Sequence, residues 1–298
     1  MKIFSYANRL STPVEAFDFK SEEMVFPIKP HWHYYCELMY IISGVVSVNC
    51  DGKNYNLGNG DIMFIHPRVT HSVSSRFDND IEFLSVKFDI NQLAVANSYA
   101  PKLSEIFRKA QNDHYAFSNF SAASFKDVPM EKYFLGCIRE TNDKNYGYDI
   151  QCKAYICNIL IELIRTWRDN GFGTDITEQS SAVSTVQSIT EYIAVHSDEQ
   201  LKVEEIAEKC EMSYSYFAKC FRDFYGQSCK DYIETIRVSK AEDMLLFTNH
   251  DLSYISKELG FSDCSHLIKV FKKHKGITPK QFRLEKNMNK QSKRQLST

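Results

Sequence analysis

The sequence predicts an α+β chain of two domains, an antiparallel β-barrel followed by an all-helical domain. Three observations carry this. From Met1 to about Phe88, short β-rich segments alternate with turn signals at intervals of about ten residues. Beyond Val183 the patterning is helical throughout, and part of it repeats. A length of 298 residues, 43% of them hydrophobic, supports about two separate cores.

The β-rich half is legible segment by segment. "YCELMYII", "VVSVNC", "KNYNL", "DIMFIH", "HSVSS" and "IEFLSVKF" are separated by "SG", "DG" and "GNG" turn signals. This succession marks an antiparallel barrel or sandwich, assigned to residues 1–92. Over residues 93–168 the pattern takes helix period, weakly from Leu93 to Ala110 and strongly in "DIQCKAYICNILIELIRTW". There Ile150, Ala154, Cys157, Ile161 and Ile164 follow a 4-3-4-3 spacing, and Ile156, Leu160, Leu163 and Trp167 add a second apolar edge. A helix with two such edges can pack one on its own barrel and offer the other to a second copy. Residues 93–168 are therefore expected to make a homodimer through the Ile156, Leu160, Leu163 and Trp167 edge. A fully buried intramolecular helix is the competing expectation. Residues 169–182, "DNGFGTDITEQSSA", read as a polar linker, and 183–298 as the second domain.

Composition narrows the class. The longest apolar runs, such as Leu38 to Ile42 and Ile159 to Ile164, fall far short of the ~20 residues that cross a bilayer. The start "MKIFSYANRL" has no signal-peptide core, so a cytoplasmic protein without a membrane partner is expected. Nine Cys at irregular positions, with no CxxC pair, fit reduced thiols better than a disulfide framework or zinc ribbon. No cofactor or structural metal follows from them. The net charge of −2 hides an asymmetry. Residues 264–298 hold 10 Lys and Arg against one acid, Glu285, a field of +9 that attracts a polyanion.

The helical half repeats itself. "IAEKCEMSYSYFAKCFRDFYG" aligns with "ISKELGFSDCSHLIKVFKKHKG" at an offset of 49 to 50 residues, the second copy carrying one extra turn residue. Each copy holds a short amphipathic helix, a tight turn, a polar cap (Ser213 or Asp263) and a second helix. The inward face of that helix is Phe217, Cys220 and Phe221, or Leu267, Val270 and Phe271. This is the helix-turn-helix pattern, whose second helix enters the major groove of double-stranded DNA. The candidate DNA contacts are Tyr214, Ser215, Ala218, Lys219 and Arg222 in copy one and Cys264, Ser265, Ile268, Lys269 and Lys272 in copy two. Hydroxyls and lysines can bond bases, Ala and Ile can meet a thymine methyl, and a cation one turn on suits a phosphate. Between the copies, Ser228 caps a helix expected from about Cys229 to Phe247, roughly 28 Å long at ~1.5 Å per residue. Thr278 and Pro279 start a closing helix through Phe282.

The spacing of Ile206-Ala207, Ser213, Phe217, Phe221, Gly226, Tyr232-Ile233, Arg237, Ala241, Leu245, Ile255, "GFSD", Phe271-Lys272-Lys273, Gly276, "TP" and Phe282-Arg283 resembles the AraC/XylS family of bacterial transcription regulators. The resemblance covers about residues 186–285. It implies structural roles for Arg237, Ala241 and Gly276, and base-facing positions for Ser215, Ala218, Lys219, Ser265, Ile268 and Lys269. His266 departs from it, standing where the family usually has an aromatic. The resemblance also implies a sensor domain and a small-molecule effector, sugars being the family's commonest theme, with RNA polymerase as a partner if the chain activates.

The sensor half has its own signal. "HWHYYCELMYIISG" reads H-x-H-x3-E-x6-G, and "GDIMFIHPRVTH" follows with a Pro and, four residues on, a His, a pattern that looks like a cupin barrel over residues 31–71. In one extended strand His31, His33 and Glu37 would share a face, and His71 from a neighbouring strand would complete a polar cluster. These four are the candidate effector-binding residues. An organic effector, a metal with or without catalysis, and purely structural histidines all remain open at this level. A catalytic cupin is the enzyme reading; the DNA-reading half favours a sensor that is not an enzyme.

Overall fold

Strand β4 (Cys36–Ser43) alternates its side chains between two cores, and the first unit of the protein is built around that alternation. Cys36 and Leu38 face one core, Met39 and Ile41 the other. Its neighbours β7 (Ile62–Ile65) and β9 (Glu82–Phe88) do the same. Ile62, Phe64, Leu84, Val86 and Phe88 point one way, and Met63, Ile65 and Phe83 the other. Strands buried on both faces need near-continuous apolar sequence, which is why these three stand out in the chain.

The computed structural model describes residues 4–5, 14–24, 26–75, 80–93, 101–175, 189–190, 192–193 and 196–285. It divides into two compact units between residues 178 and 179. Part of the linker assigned from sequence, 176–182, and the basic stretch 286–298 lie outside the described residues. In the first unit one sheet runs β10 (Asn119–Phe120), β7, β4, β9, β2 (Val14–Lys20). The other runs β1 (Phe4–Ser5), β3 (Ile28–Trp32), β8 (His71–Ser74), β5 (Val46–Cys50), β6 (Lys53–Leu57). Val46, Val48, Leu57 and Val73 from the second sheet meet Met39, Ile41 and Phe83 from the first. The described strands thus form two five-stranded sheets that face each other across this core, the antiparallel architecture expected from sequence.

Helices α1 (Leu103–Ala110), α2 (Met130–Asp143) and α3 (Tyr148–Asp169) cover the other face of the first sheet. Here the structure corrects one expectation. Ile156, Leu160, Leu163 and Trp167 are fully buried in this core beside Phe64, Phe107 and Phe134, and the Trp167 indole donates to the Phe117 carbonyl at 2.8 Å. The edge assigned to a partner is the internal one. Ile150 and Ile161, on the other stripe, are 70% and 40% exposed. Periodicity shows that a helix has two apolar edges; volume decides between them, and the bulkier Leu and Trp edge fills the space above the sheet.

The second unit contains α4 (Val203–Lys209), α5 (Tyr214–Tyr225), α6 (Cys229–Phe247), α7 (Leu252–Glu258), α8 (Cys264–Lys275) and a closing helix over 279–285. Its sequence signals map onto caps. Ser213 accepts from the Tyr216 N–H, Ser228 from Asp231 and Asp263 from His266. Thr278 and Gln281 cap the closing helix reciprocally, Gln281 N–H to Thr278 Oγ1 at 3.3 Å and Thr278 N–H to Gln281 Oε1 at 2.9 Å. Two small cores result. Phe217, Phe221, Tyr225 and Tyr232 centre one, and Leu267, Val270, Phe271 and Phe282 the other. α6 contributes to both, Ile233 and Ile236 to the first and Ala241 and Leu245 to the second.

Arg237 in mid-α6 ties the two together. Its Nε and Nη2 donate to the carbonyls of Ser197 and Glu199, each at 2.7 Å, and its guanidinium lies 5.7 Å from the Phe261 ring centroid. Gly260 makes room for this. At φ +68°, an added Cβ would sit 2.6 Å from the Asp198 carbonyl oxygen and 2.9 Å from Arg237 Nη2.

Candidate DNA interface and sensor site

On α5, burial of Phe217 and Phe221 turns the opposite face outward. Tyr214, Ser215, Lys219 and Arg222 are exposed and Ala218 is half-buried. On α8, burial of Leu267, Val270 and Phe271 exposes Ser265, Lys269 and Lys272, with Cys264 and Ile268 half-buried. Two N-capped helices thus present hydroxyls, small apolar groups and cations in matching order. Sequence reasoning missed Tyr216, 51% exposed on the same outward face of α5. The signal was available, since Tyr216 falls outside the 217/220/221 stripe.

His266, the equivalent position in α8, is held in place. Its backbone N–H bonds the Asp263 carboxylate at 2.7 Å, its Nδ1 lies 3.2 Å from Ser262 Oγ, and its ring meets Phe261 edge-on at 5.5 Å. The register of the second copy follows, with Leu267 inside.

The basic field at the end of α8 is smaller than its sequence. Lys273 Nζ bonds Asp231 at 3.0 Å and Glu234 at 2.8 Å, and Lys275 pairs with Glu242, all three acids from α6. His274 Nε2 lies 3.7 Å from Glu234. The nearby His274 imidazole and the Lys273 hydrogen bond outweigh burial and hold the Glu234 carboxyl down at about 2. These ion pairs hold α8 against α6. Lys269 and Lys272 remain exposed on the outward side.

In the first unit, His31, His33, Glu37 and His71 converge. They do so by a different route from that expected. β3 ends at Trp32 and β4 begins at Cys36 in the other sheet, so no single strand carries His31, His33 and Glu37. Instead His31 stands directly opposite His71 across the β3–β8 pair, ring centroids 4.2 Å apart. His33 sits in the crossing, 5.0 Å from His71 by centroids. Glu37 enters from the inward face of β4.

All four are buried. Glu37 Oε2 lies 2.8 Å from His33 Nε2, 3.3 Å from His71 Nε2 and 3.7 Å from Lys87 Nζ, while Ser85 donates to Oε1 at 2.6 Å. Burial alone would raise the Glu37 pKa, but the Lys87 charge and the His33 and His71 contacts hold it well below the usual range. Burial, with His71 beside it, pushes His31 down to about 4. Ser85 and Lys87 were missed in the sequence. Their signal is parity, because both share the inward face of β9 with Phe83, where a purely apolar core would have no polar group. Cys50, paired across from His71, borders the cluster, and burial pushes its thiol up to about 12.

Two family models match the chain. One, described as an AraC-like ligand binding domain, covers residues 20–115, and the other, a helix-turn-helix domain, covers 206–285. The chain belongs to the AraC/XylS family of transcription regulators. This AraC/XylS regulator is similar to the HTH-type transcriptional activator RhaR of Escherichia coli, 20% identical over 253 residues that cover 85% of this chain and 86% of RhaR. It is also similar to the uncharacterized HTH-type transcriptional regulator YbfI of Bacillus subtilis, 26% identical over 260 residues covering the same shares. Among solved structures, the C-terminal domain of the two-component response regulator yesN from Fusobacterium nucleatum is 32% identical, covers 35% of this chain and 99% of its own, and has a TM-score of 0.32. As an AraC/XylS regulator the chain carries a ligand-binding domain and a helix-turn-helix DNA-binding domain. No helix among the described residues is long and apolar enough to cross a membrane.

Proposed function

We propose that the chain regulates transcription in response to a small molecule held at His31, His33, Glu37 and His71, and reads its operator with Tyr214, Ser215, Ala218, Lys219 and Arg222 of α5 and Cys264, Ser265, Ile268, Lys269 and Lys272 of α8. One observation carries the reading. A buried cluster of four ionisable side chains, with Ser85 and Lys87 beside it, lies between two sheets whose interior is otherwise apolar, and ionisable groups gathered at one buried place mark a functional site. The names of its relatives favour activation, in which case RNA polymerase is a second partner. A carbohydrate or similar metabolite is the effector class in keeping with the family. Selecting bound sites from random DNA with the full chain, with and without a metabolite library, tests both halves. A selected sequence whose affinity no metabolite changes would refute the sensor half alone.

The same reading includes a homodimer, now assigned to the outward stripe of α3. Ile150 and Ile161 are exposed there, Ala154 is exposed between them, and Leu135 of the adjacent α2 is 46% exposed. A second copy bringing the same stripe gives a self-complementary apolar contact, as two-fold symmetry requires.

A further inference from the structure

We infer that Tyr214 and Tyr216 clamp α5 in the major groove from both sides, the two phenols donating to backbone phosphates of opposite DNA strands. The inference deepens the DNA-reading half of the proposed function and rests on it. Successive residues of a helix stand about 100° apart, so Tyr214 and Tyr216 lie on either side of Ser215. Ser215 begins the line Ser215, Lys219, Arg222, which is exposed while Phe217 and Phe221 are buried behind it. With that line toward the base edges, the tyrosines are aimed at the two walls. The groove is about 12 Å wide and a helix with its side chains about 10–12 Å across, so each wall it meets is sugar and phosphate. A tyrosine hydroxyl is one of the groups that bond phosphate oxygens there.

Both tyrosines are 51% exposed, and neither ring belongs to the core of Phe217, Phe221, Tyr225 and Tyr232. The cap fixes their backbone, with Ser213 Oγ accepting the Tyr216 N–H at 3.4 Å. An apolar ring left in water with a donor at its tip suits an interface, where the ring lies on sugar and the hydroxyl reaches an oxygen. Cys220, one turn on, is within hydrogen-bonding reach of the Tyr216 side chain. Its S–H can donate to the phenol oxygen, which leaves the phenol O–H for an outside acceptor. α8 has no such pair. The equivalent positions are Cys264 and His266. Cys264 is half-buried, and the His266 ring is taken up by Ser262 Oγ at 3.2 Å and by Phe261. What α8 turns outward is charge, Lys269 and Lys272. α5 therefore adds to its own cations an anchor of another kind. A lysine on a phosphate releases counterions and weakens as salt rises, whereas a neutral phenol releases none and its contribution persists.

The test uses the full chain, an operator selected from random DNA, and the variants Tyr214→Phe and Tyr216→Phe, which each remove one oxygen and keep the ring. Each should bind about tenfold more weakly, the loss expected for a hydrogen bond to a charged acceptor. Thermal unfolding and the slope of log affinity against log salt should not change. The factor should be the same on operators altered at single base pairs, because phosphate contacts carry no sequence information. Ethylation interference finds the phosphates themselves: each Phe variant should become indifferent to one ethylated phosphate that blocks the unaltered chain, and the two phosphates should lie on opposite strands. Full affinity in either variant, a loss confined to one base pair, a changed salt slope, or both phosphates on one strand would overturn the clamp. So would a lowered unfolding temperature with affinity retained, which would make the Tyr216 contact with Cys220 purely structural. Lys219→Ala, run beside them, separates the two readings. A loss there with none in the tyrosine variants leaves α5 in the groove and removes only the clamp, while no loss in any of the three removes α5 from the groove altogether.

Discussion

Lys273 on the second recognition helix donates to Glu234 on the long helix α6 at 2.8 Å, and Asp231 takes the same ammonium at 3.0 Å. A cation that sequence alone assigns to the DNA field thus also joins α8 to α6. It follows that Lys273→Ala should lower the stability of the second unit while leaving the salt dependence of DNA binding nearly unchanged. Lys272→Ala should do the reverse, reducing the slope of log affinity against log salt by about 1. Binding titrations over a salt series separate the two; equal slopes for both variants would show that Lys273 also reaches phosphate.

The same contact makes a pH prediction. The Glu234 carboxyl is held at about 2, below its unfolded value, so its contribution is fully present above about pH 4.5 and disappears as pH falls toward 2. Glu234→Gln should therefore cost about 1–2 kcal/mol at pH 7 and almost nothing near pH 2. Urea unfolding of both proteins at the two pH values measures this. A cost that persists unchanged at the lower pH would mean the side chain acts through packing.

Much of the second unit was legible in the sequence because its signals are local. Ser213, Ser228, Asp263 and Thr278 cap the helices they precede, and the stripe 217/220/221 fixes which side of α5 faces out. What the sequence could not show is long-range. The Lys273–Glu234 and Lys275–Glu242 pairs span 39 and 33 residues, and the strands β2, β3 and β10 are specified by pairing more than by pattern. The four site residues were found by their spacing, yet the assumed single strand was wrong, because a motif records which residues meet and not the path the chain takes to bring them together.

Matching positions on the two recognition helices predict matching losses. Lys219→Ala and Lys269→Ala should each weaken binding to the selected operator by roughly 1–3 kcal/mol if the contact is to a base, with thermal stability retained. Losses equal on operator and random DNA would identify phosphate contacts. No loss at either position would reject the placement of both helices in the groove.

Gly260 and Arg237 should fail together. Gly260→Ala forces a Cβ against the Asp198 carbonyl and the Arg237 guanidinium at a positive φ, and should destabilise the second unit by about 1–3 kcal/mol. Arg237→Ala leaves the Ser197 and Glu199 carbonyls without their donors and should cost a similar amount. The residues are in contact, so the double variant should cost less than the two losses added. Additive losses in denaturant titrations would show that the glycine is needed for its turn alone.

The two edges of α3 give opposite predictions from the same kind of substitution. Leu160 and Leu163 are fully buried beside Phe64, Phe107 and Phe134, so Leu160→Glu or Leu163→Glu places a charge where nothing can pair it. Either should unfold the first unit, seen as loss of near-ultraviolet circular dichroism. Ile150 and Ile161 are on the open stripe, 70% and 40% exposed, so Ile150→Glu or Ile161→Glu should leave the fold intact. If that stripe is the dimer contact, the double variant should sediment as a monomer and bind paired operator sites more weakly, with single-site affinity unchanged, because only the linkage between two readers is lost. Analytical ultracentrifugation of the unaltered chain comes first. A monomer at micromolar concentration, with and without operator, rejects the dimer outright, whereas a dimer that survives Ile150→Glu with Ile161→Glu moves the contact to another face.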